Sequence, residues 1–169
     1  MILDINTLLS SSQLITVTAP SANVIDLAGL GVGNPVTNKF GTGTSFGEDI
    51  GIGDGVSPPN LLCIVGTAFA AAGAGTLQVQ LQAAVDVNNT GLPVTWDILA
   101  QTDPMALAVL TAGRLIAEFT IPPRYPGQGF PRFYRLNYVV ATGPMTAGSI
   151  AFAGIITGRD DAPQYPAAY

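Results

Sequence analysis

Arginines and aromatic side chains crowd one stretch of this chain: Arg124, Tyr125, Phe130, Arg132, Phe133, Tyr134, Arg135 and Tyr138. Such a set has three uses. Rings and guanidinium groups stack bases on RNA-binding sheets, they concentrate at protein–protein interfaces, or they fill a core and a strand face. The first use needs glycines at set places and a positive field. Here the glycines are not so placed, and the formal charge is −5 with Lys39 the single lysine. Phosphate neutralisation needs many more cations than that, so nucleic acid is not an expected partner. Core packing and a protein interface both stay open.

The other chemistry-bearing residues are few. The chain has no histidine, which removes Ser-His-Asp and Cys-His nucleophilic pairs and every His-containing zinc site. Its one cysteine, Cys63, allows neither an intrachain disulfide nor a C-x-x-C pair, and in Leu61-Leu62-Cys63-Ile64-Val65 it reads as a small buried hydrophobe. Gly29-Leu30-Gly31-Val32-Gly33 and Gly51-Ile52-Gly53-Asp54-Gly55 resemble phosphate loops only in composition. Neither is followed by Lys-Ser/Thr or set between a strand and a helix, so both read as turns. The adjacent carboxylates Glu48-Asp49 and Asp160-Asp161 would point to opposite faces of a strand, and no calcium-loop spacing surrounds Asp49, Asp54 or Asp86. Asn88-Asn89-Thr90 matches a glycosylation sequon, but the start of the chain lacks the basic segment of a secretory signal. No catalytic residue, cofactor site or metal site is expected.

The elements that must position these residues follow a period of two. In Thr76–Val85, Leu77, Val79 and Leu81 face one way and Gln78, Gln80 and Gln82 the other, as in a half-solvated strand. Leu115–Ile121 alternates likewise. Arg132–Ala141 is aromatic and β-branched, with Tyr134, Leu136 and Tyr138 on one parity and Phe133 and Val139 on the other. Ser149–Thr157 is apolar on both faces, as a central strand is. Weaker strands are expected at 13–18, 22–27, 61–69 and 94–101. Asp103–Gly113 carries helix start and stop signals and reads equally as a short helix, a strand or an irregular connection. Asp54 and Asp86 bracket 31 uncharged residues, but Pro58, Pro59, Gly66, Gly73 and Gly75 break that run, so no membrane span is expected. At 169 residues and 10% charged, the chain reads as one all-β domain. The expected fold is an antiparallel eight-stranded jelly-roll sandwich over residues 13–159. A Gly-rich loop spans about 29–60, an apolar N-terminal arm covers 1–12, and a Pro/Tyr-rich tail covers 160–169.

The order of several short segments carries a resemblance. Asn23-Val24-Ile25-Asp26-Leu27 precedes Glu48-Asp49-Ile50-Gly51-Ile52-Gly53-Asp54-Gly55, and Thr76-Leu77-Gln78-Val79-Gln80-Leu81-Gln82 follows. Then come Ala112-Gly113, Ile121-Pro122, Tyr134-Arg135-Leu136-Asn137-Tyr138 and Thr146-Ala147-Gly148-Ser149-Ile150. In this order, over roughly residues 1–157, the chain resembles the capsid cement, or decoration, proteins of short-tailed bacteriophages. The stretch 32–46 looks like an insertion and the tail after Arg159 like an extension. The resemblance implies a jelly-roll protein, made in the host cytoplasm, that binds the outer surface of the virion head. There it would bridge subunits of the major capsid protein, most often as a homodimer with a trimer as the alternative, and hold the shell against packaged DNA. It implies no enzyme and no cofactor. Expected contact residues are Ile2 and Leu3 of the arm, Lys39, Phe40 and Phe46 of the Gly-rich loop, Arg124 and Phe130 of the Pro-rich loop, and Tyr165 and Tyr169 of the tail. The alternatives are a carbohydrate- or receptor-binding jelly roll, with Trp96 and Tyr125 as stacking platforms, and a carboxylate-based hydrolase.

Overall fold

A computed structural model of the chain describes residues 2–27, 59–86, 92–121 and 131–157, the side chains of 2–6 and 157 aside. These residues form an all-β, antiparallel structure. Seven strands are long: β1 (Ile2–Leu14), β4 (Asn60–Val65), β6 (Thr76–Ala84), β7 (Asp97–Gln101), β9 (Leu115–Thr120), β10 (Phe133–Ala141) and β12 (Ser149–Thr157). Five are short: β2 (Ala19–Pro20), β3 (Ile25–Asp26), β5 (Ala70–Ala71), β8 (Met105–Ala106) and β11 (Met145–Ala147). One sheet runs β1-β12-β4-β9, a second runs β2-β10-β6-β7 with β3 on β10 and β8 on β6, and β11 pairs with β5.

Alternation builds the core. Leu61, Cys63 and Val65 of β4, with Ile150, Ala153 and Ile155 of β12, face Leu77, Val79 and Leu81 of β6 and Tyr134, Leu136 and Tyr138 of β10 in one buried cluster. Each buried Leu or Ile contributes about 1.5–3 kcal/mol by leaving water. At the centre the Tyr138 hydroxyl lies 2.8 Å from Ser10 Oγ. Ser10 donates its own proton to Gln13 Oε1 at 2.7 Å, so Tyr138 is the donor to Ser10. Gln13 also accepts from the Ala22 N–H and donates to Pro20 O, which stitches β1 to the second sheet.

Several expectations change. Residues 2–12 of the stretch read above as an arm lie in β1, where Ile2 pairs with Thr157 and Leu3 with Ile156. The central strand β12 has two ladder edges to satisfy, and β1 covers one while β4 covers the other. The strand expected at 13–18 ends at Leu14, because the chain turns there: Ile15 N–H donates to Gly148 O and Met145 N–H to Thr16 O. The strands expected at 22–27, 61–69 and 94–101 shorten to β3, β4 and β7. Asp103–Gly113 becomes β8 and a single 3-10 turn, Leu107–Val109, without a side-chain cap. Its backbone serves tertiary bonds instead, as Leu110 O does for Phe69 N–H. Most of the expected 29–60 loop and all of the 160–169 tail lie outside the described residues.

The register separates the two ends of the molecule. At one end β4 joins β6, β7 joins β9 and β10 joins β12 through described connections. At the other end Asn60 pairs with Thr120 and Ile156, while Phe133 pairs with Ala84 and Asp26. The stretches 28–58, 87–91, 122–130 and 158–169 all attach at this second end.

Candidate functional site

The alternation that builds the core leaves a second set of side chains on the outer face of the six-stranded sheet. Gln78, Gln80 and Gln82 project there from β6, Arg135 and Asn137 from β10, and Ile98 and Gln101 from β7. Gln82 pairs with Arg135 on one side and Ile98 on the other, and Gln80 pairs with Asn137 and Gln101. The amides satisfy one another. Gln82 Nε2 donates to Gln80 Oε1 at 3.2 Å, Asn137 Nδ2 to the same oxygen at 3.1 Å, and Gln80 Nε2 to Gln101 Oε1 at 3.1 Å. Gln78 Nε2 reaches Thr102 O at 2.8 Å. Gln80 and Gln82 are therefore buried, at 9% and 7% exposure, where the alternation predicts a solvated face. A closed amide network of this kind removes the penalty that an unpaired buried amide would carry and fixes side-chain positions.

Arg135 anchors the network beside β7. Its Nε donates to Gln82 Oε1 at 2.8 Å, and its guanidinium carbon stands 4.0 Å from the centre of the Trp96 ring. Partial burial pulls its pKa down from the usual arginine value. Nη1 and Nη2 make no hydrogen bond or ion pair among the described residues. Leu92 and Val94, which precede Trp96 in the chain, and Ile98, which follows it, are exposed at 53%, 62% and 50%.

Arg132 behaves differently three residues earlier. Its Nε and Nη2 grip Asp26 at 2.7 and 2.9 Å, and its Nη1 grips Asp86 at 2.6 Å. All three side chains are buried or nearly so. Phe133, under the Arg132 guanidinium at 4.8 Å, is fully buried on the outer parity and lies outside the main core cluster. The arginine–aromatic stretch thus divides three ways: Tyr134 and Tyr138 fill the core, Arg132 clasps carboxylates, and Arg135 faces outward.

Two buried groups of the core are held protonated. Burial pushes the Cys63 thiol up to about 12, and the Tyr138 hydroxyl, also buried, rises well above its usual value. Among the described residues no group of three or more Cys, Asp or Glu could hold a metal ion, and no helix is long and apolar enough to cross a membrane.

Of the residues expected at contacts, Ile2 and Leu3 begin β1. Lys39, Phe40, Phe46, Arg124, Phe130, Tyr165 and Tyr169 lie outside the described residues, as does Tyr125. Trp96 is partly buried against Arg135. Composition alone could not mark Arg135, because Arg132 and Arg135 sit in the same aromatic run. Strand parity separates them, and only the fold shows which parity is already provided with carboxylates.

Fold and face together define an antiparallel β protein with an amide-lined sheet face among its described residues. The family model Bbp16 matches residues 9–155, so the chain belongs to the Bbp16 family, a family of phage proteins. No match is found among the curated proteins.

Proposed function

We propose that this chain is a capsid cement protein with a jelly-roll sandwich, bound to the outer surface of a phage head, where it bridges neighbouring copies of the major capsid protein. Membership of a phage family and an all-β antiparallel build support this reading. The observation that carries it is the separation of the two ends. Every expected contact residue belongs to β1's first residues or to a stretch that attaches at one end of the sheets. A protein that adheres by one end suits a lattice site. Modest contacts per copy are multiplied there over a symmetric shell. Binding the assembled shell better than its dissociated subunits stabilises it by mass action. In this reading the chain is no enzyme, uses no cofactor, and acts as a homodimer after synthesis in the host cytoplasm.

Quantitative mass spectrometry of purified particles tests it. A fixed, high copy number relative to the major capsid protein is the expected result. Absence from particles would overturn the reading. The glycan-binding alternative gains nothing from the site, since one face of the Trp96 ring is already occupied by Arg135.

A further inference from the structure

Arg135 is a cation prepared for a partner that the described chain does not supply. Its neighbour in sequence, Arg132, spends all three of its donor nitrogens on Asp26 and Asp86. Arg135 spends only Nε, on a neutral amide, and leaves Nη1 and Nη2 open among the described residues. Stacking on Trp96 and the bond to Gln82 fix the plane of the fork, so little conformational freedom remains to be lost on binding. Burial has already stripped part of its water. Exposed Ile98 stands on the same outer face across Gln82, and exposed Val94 lies two residues before Trp96 in the chain. A planar cation with two open donors, a tryptophan and bordering aliphatic groups are what the energetic centre of a protein interface contains.

We propose that this outer face of the six-stranded sheet docks a shell subunit that presents a carboxylate to Arg135 Nη1 and Nη2 and apolar side chains to Val94 and Ile98. The proposal rests on the cement reading and adds to it a second, sheet-face contact distinct from the end that carries the long stretches. Charge selects the partner. The outward positions around Arg135 hold glutamine, asparagine and isoleucine, and the nearby carboxylates Asp26 and Asp86 are held by Arg132. Two copies of this chain meeting through the same face would set one guanidinium against another. One arginine on this face, in a chain of net charge −5, does not suit nucleic acid.

The test is binding of purified full-length protein to phage heads assembled without it. Wild type is compared with Arg135→Gln, Arg135→Lys, Ile98→Asp and Val94→Asp, each checked for an unchanged melting temperature. Val94 and Ile98 are exposed, so at least these variants keep the fold. The expected result is a Kd at least tenfold higher for Arg135→Gln and for each Asp variant. Arg135→Lys should fall between Gln and wild type, because it keeps the charge and loses the planar fork. Added salt should weaken wild type more than Arg135→Gln. If wild type binds heads and all the variants bind equally well, the sheet-face contact is wrong while the cement reading stands. If wild type does not bind heads, both fail. Saturable binding of polysialic acid by the isolated protein, lost in Arg135→Gln, would reassign the face to an acidic glycan and overturn the proposal.

Discussion

Arg132 shows how a single side chain can hold distant parts of a chain together. It joins Asp26, 106 residues away, to Asp86, 46 residues away, at the end where the long stretches attach. The two carboxylate side chains are 1% and 5% exposed. Removing the cation takes away the positive charge that these two buried carboxylates share, and breaking a buried ion pair from one side costs more than the pair itself contributes. Arg132→Met is expected to lower stability by about 3–5 kcal/mol in urea unfolding. Adding Asp26→Asn to that variant should recover part of the loss by removing one of the two buried charges that Arg132 balances. The sequence places Arg132 in an aromatic cluster but cannot pair it, because the partners come from β3 and the end of β6. Parity sorted Tyr134, Leu136 and Tyr138 onto one face and Phe133 onto the other, but did not say which face is core. Phe133 is buried although its parity points outward, because its burial depends on what packs over that face.

Among elements, β6, β10 and β12 match the sequence pattern almost residue for residue, since each is long, strongly alternating or apolar on both faces. The corners were not legible. Their backbone groups bond across the molecule rather than along it, as Ile15 does to Gly148 and Phe69 to Leu110, and no periodicity reports such bonds. The jog between β11 and β12 shows the cost of changing one. Gly148 sits at φ +141, and a Cβ there would meet the Phe69 ring at 2.2 Å. Gly148→Ala therefore forces both a disfavoured backbone and an overpacked core. We expect it to lose about 1–3 kcal/mol from strain and a similar amount from overpacking, read as a lowered urea midpoint. Phe69→Leu in the same chain should restore part of it. The amide face of β6 teaches a related lesson. Glutamine at alternate positions signals water, yet cross-strand amides can bury one another once Arg135 and Asn137 stand opposite.

At the scale of the whole molecule, the buried acids of the core set an alkaline limit. Burial raises Cys63 from an ordinary 9.0 to about 12 and Tyr134 from 10.0 to about 12, and Tyr138 also rises. The unfolded chain releases these protons at the ordinary values while the folded chain keeps them. Stability is thus insensitive to these groups below pH 9, falls as pH climbs from 9 towards 12, and is lost once the folded values are passed. Melting temperatures measured across that range should decline, and in the folded protein two of the five tyrosines should resist ionisation at 295 nm until unfolding. A plateau in melting temperature between pH 9 and 11 would contradict this. The two-ended build has a practical corollary. The turn Thr142–Pro144, between β10 and β11, is exposed, and Gly143 has open space where a side chain would start. It lies on the closed end, with the pairing of β10 to β6 before it and of β11 to β5 after it. A foreign peptide grafted into that turn would project away from the end we assign to shell adhesion, which makes the turn a natural address for displaying epitopes in regular array on a particle surface.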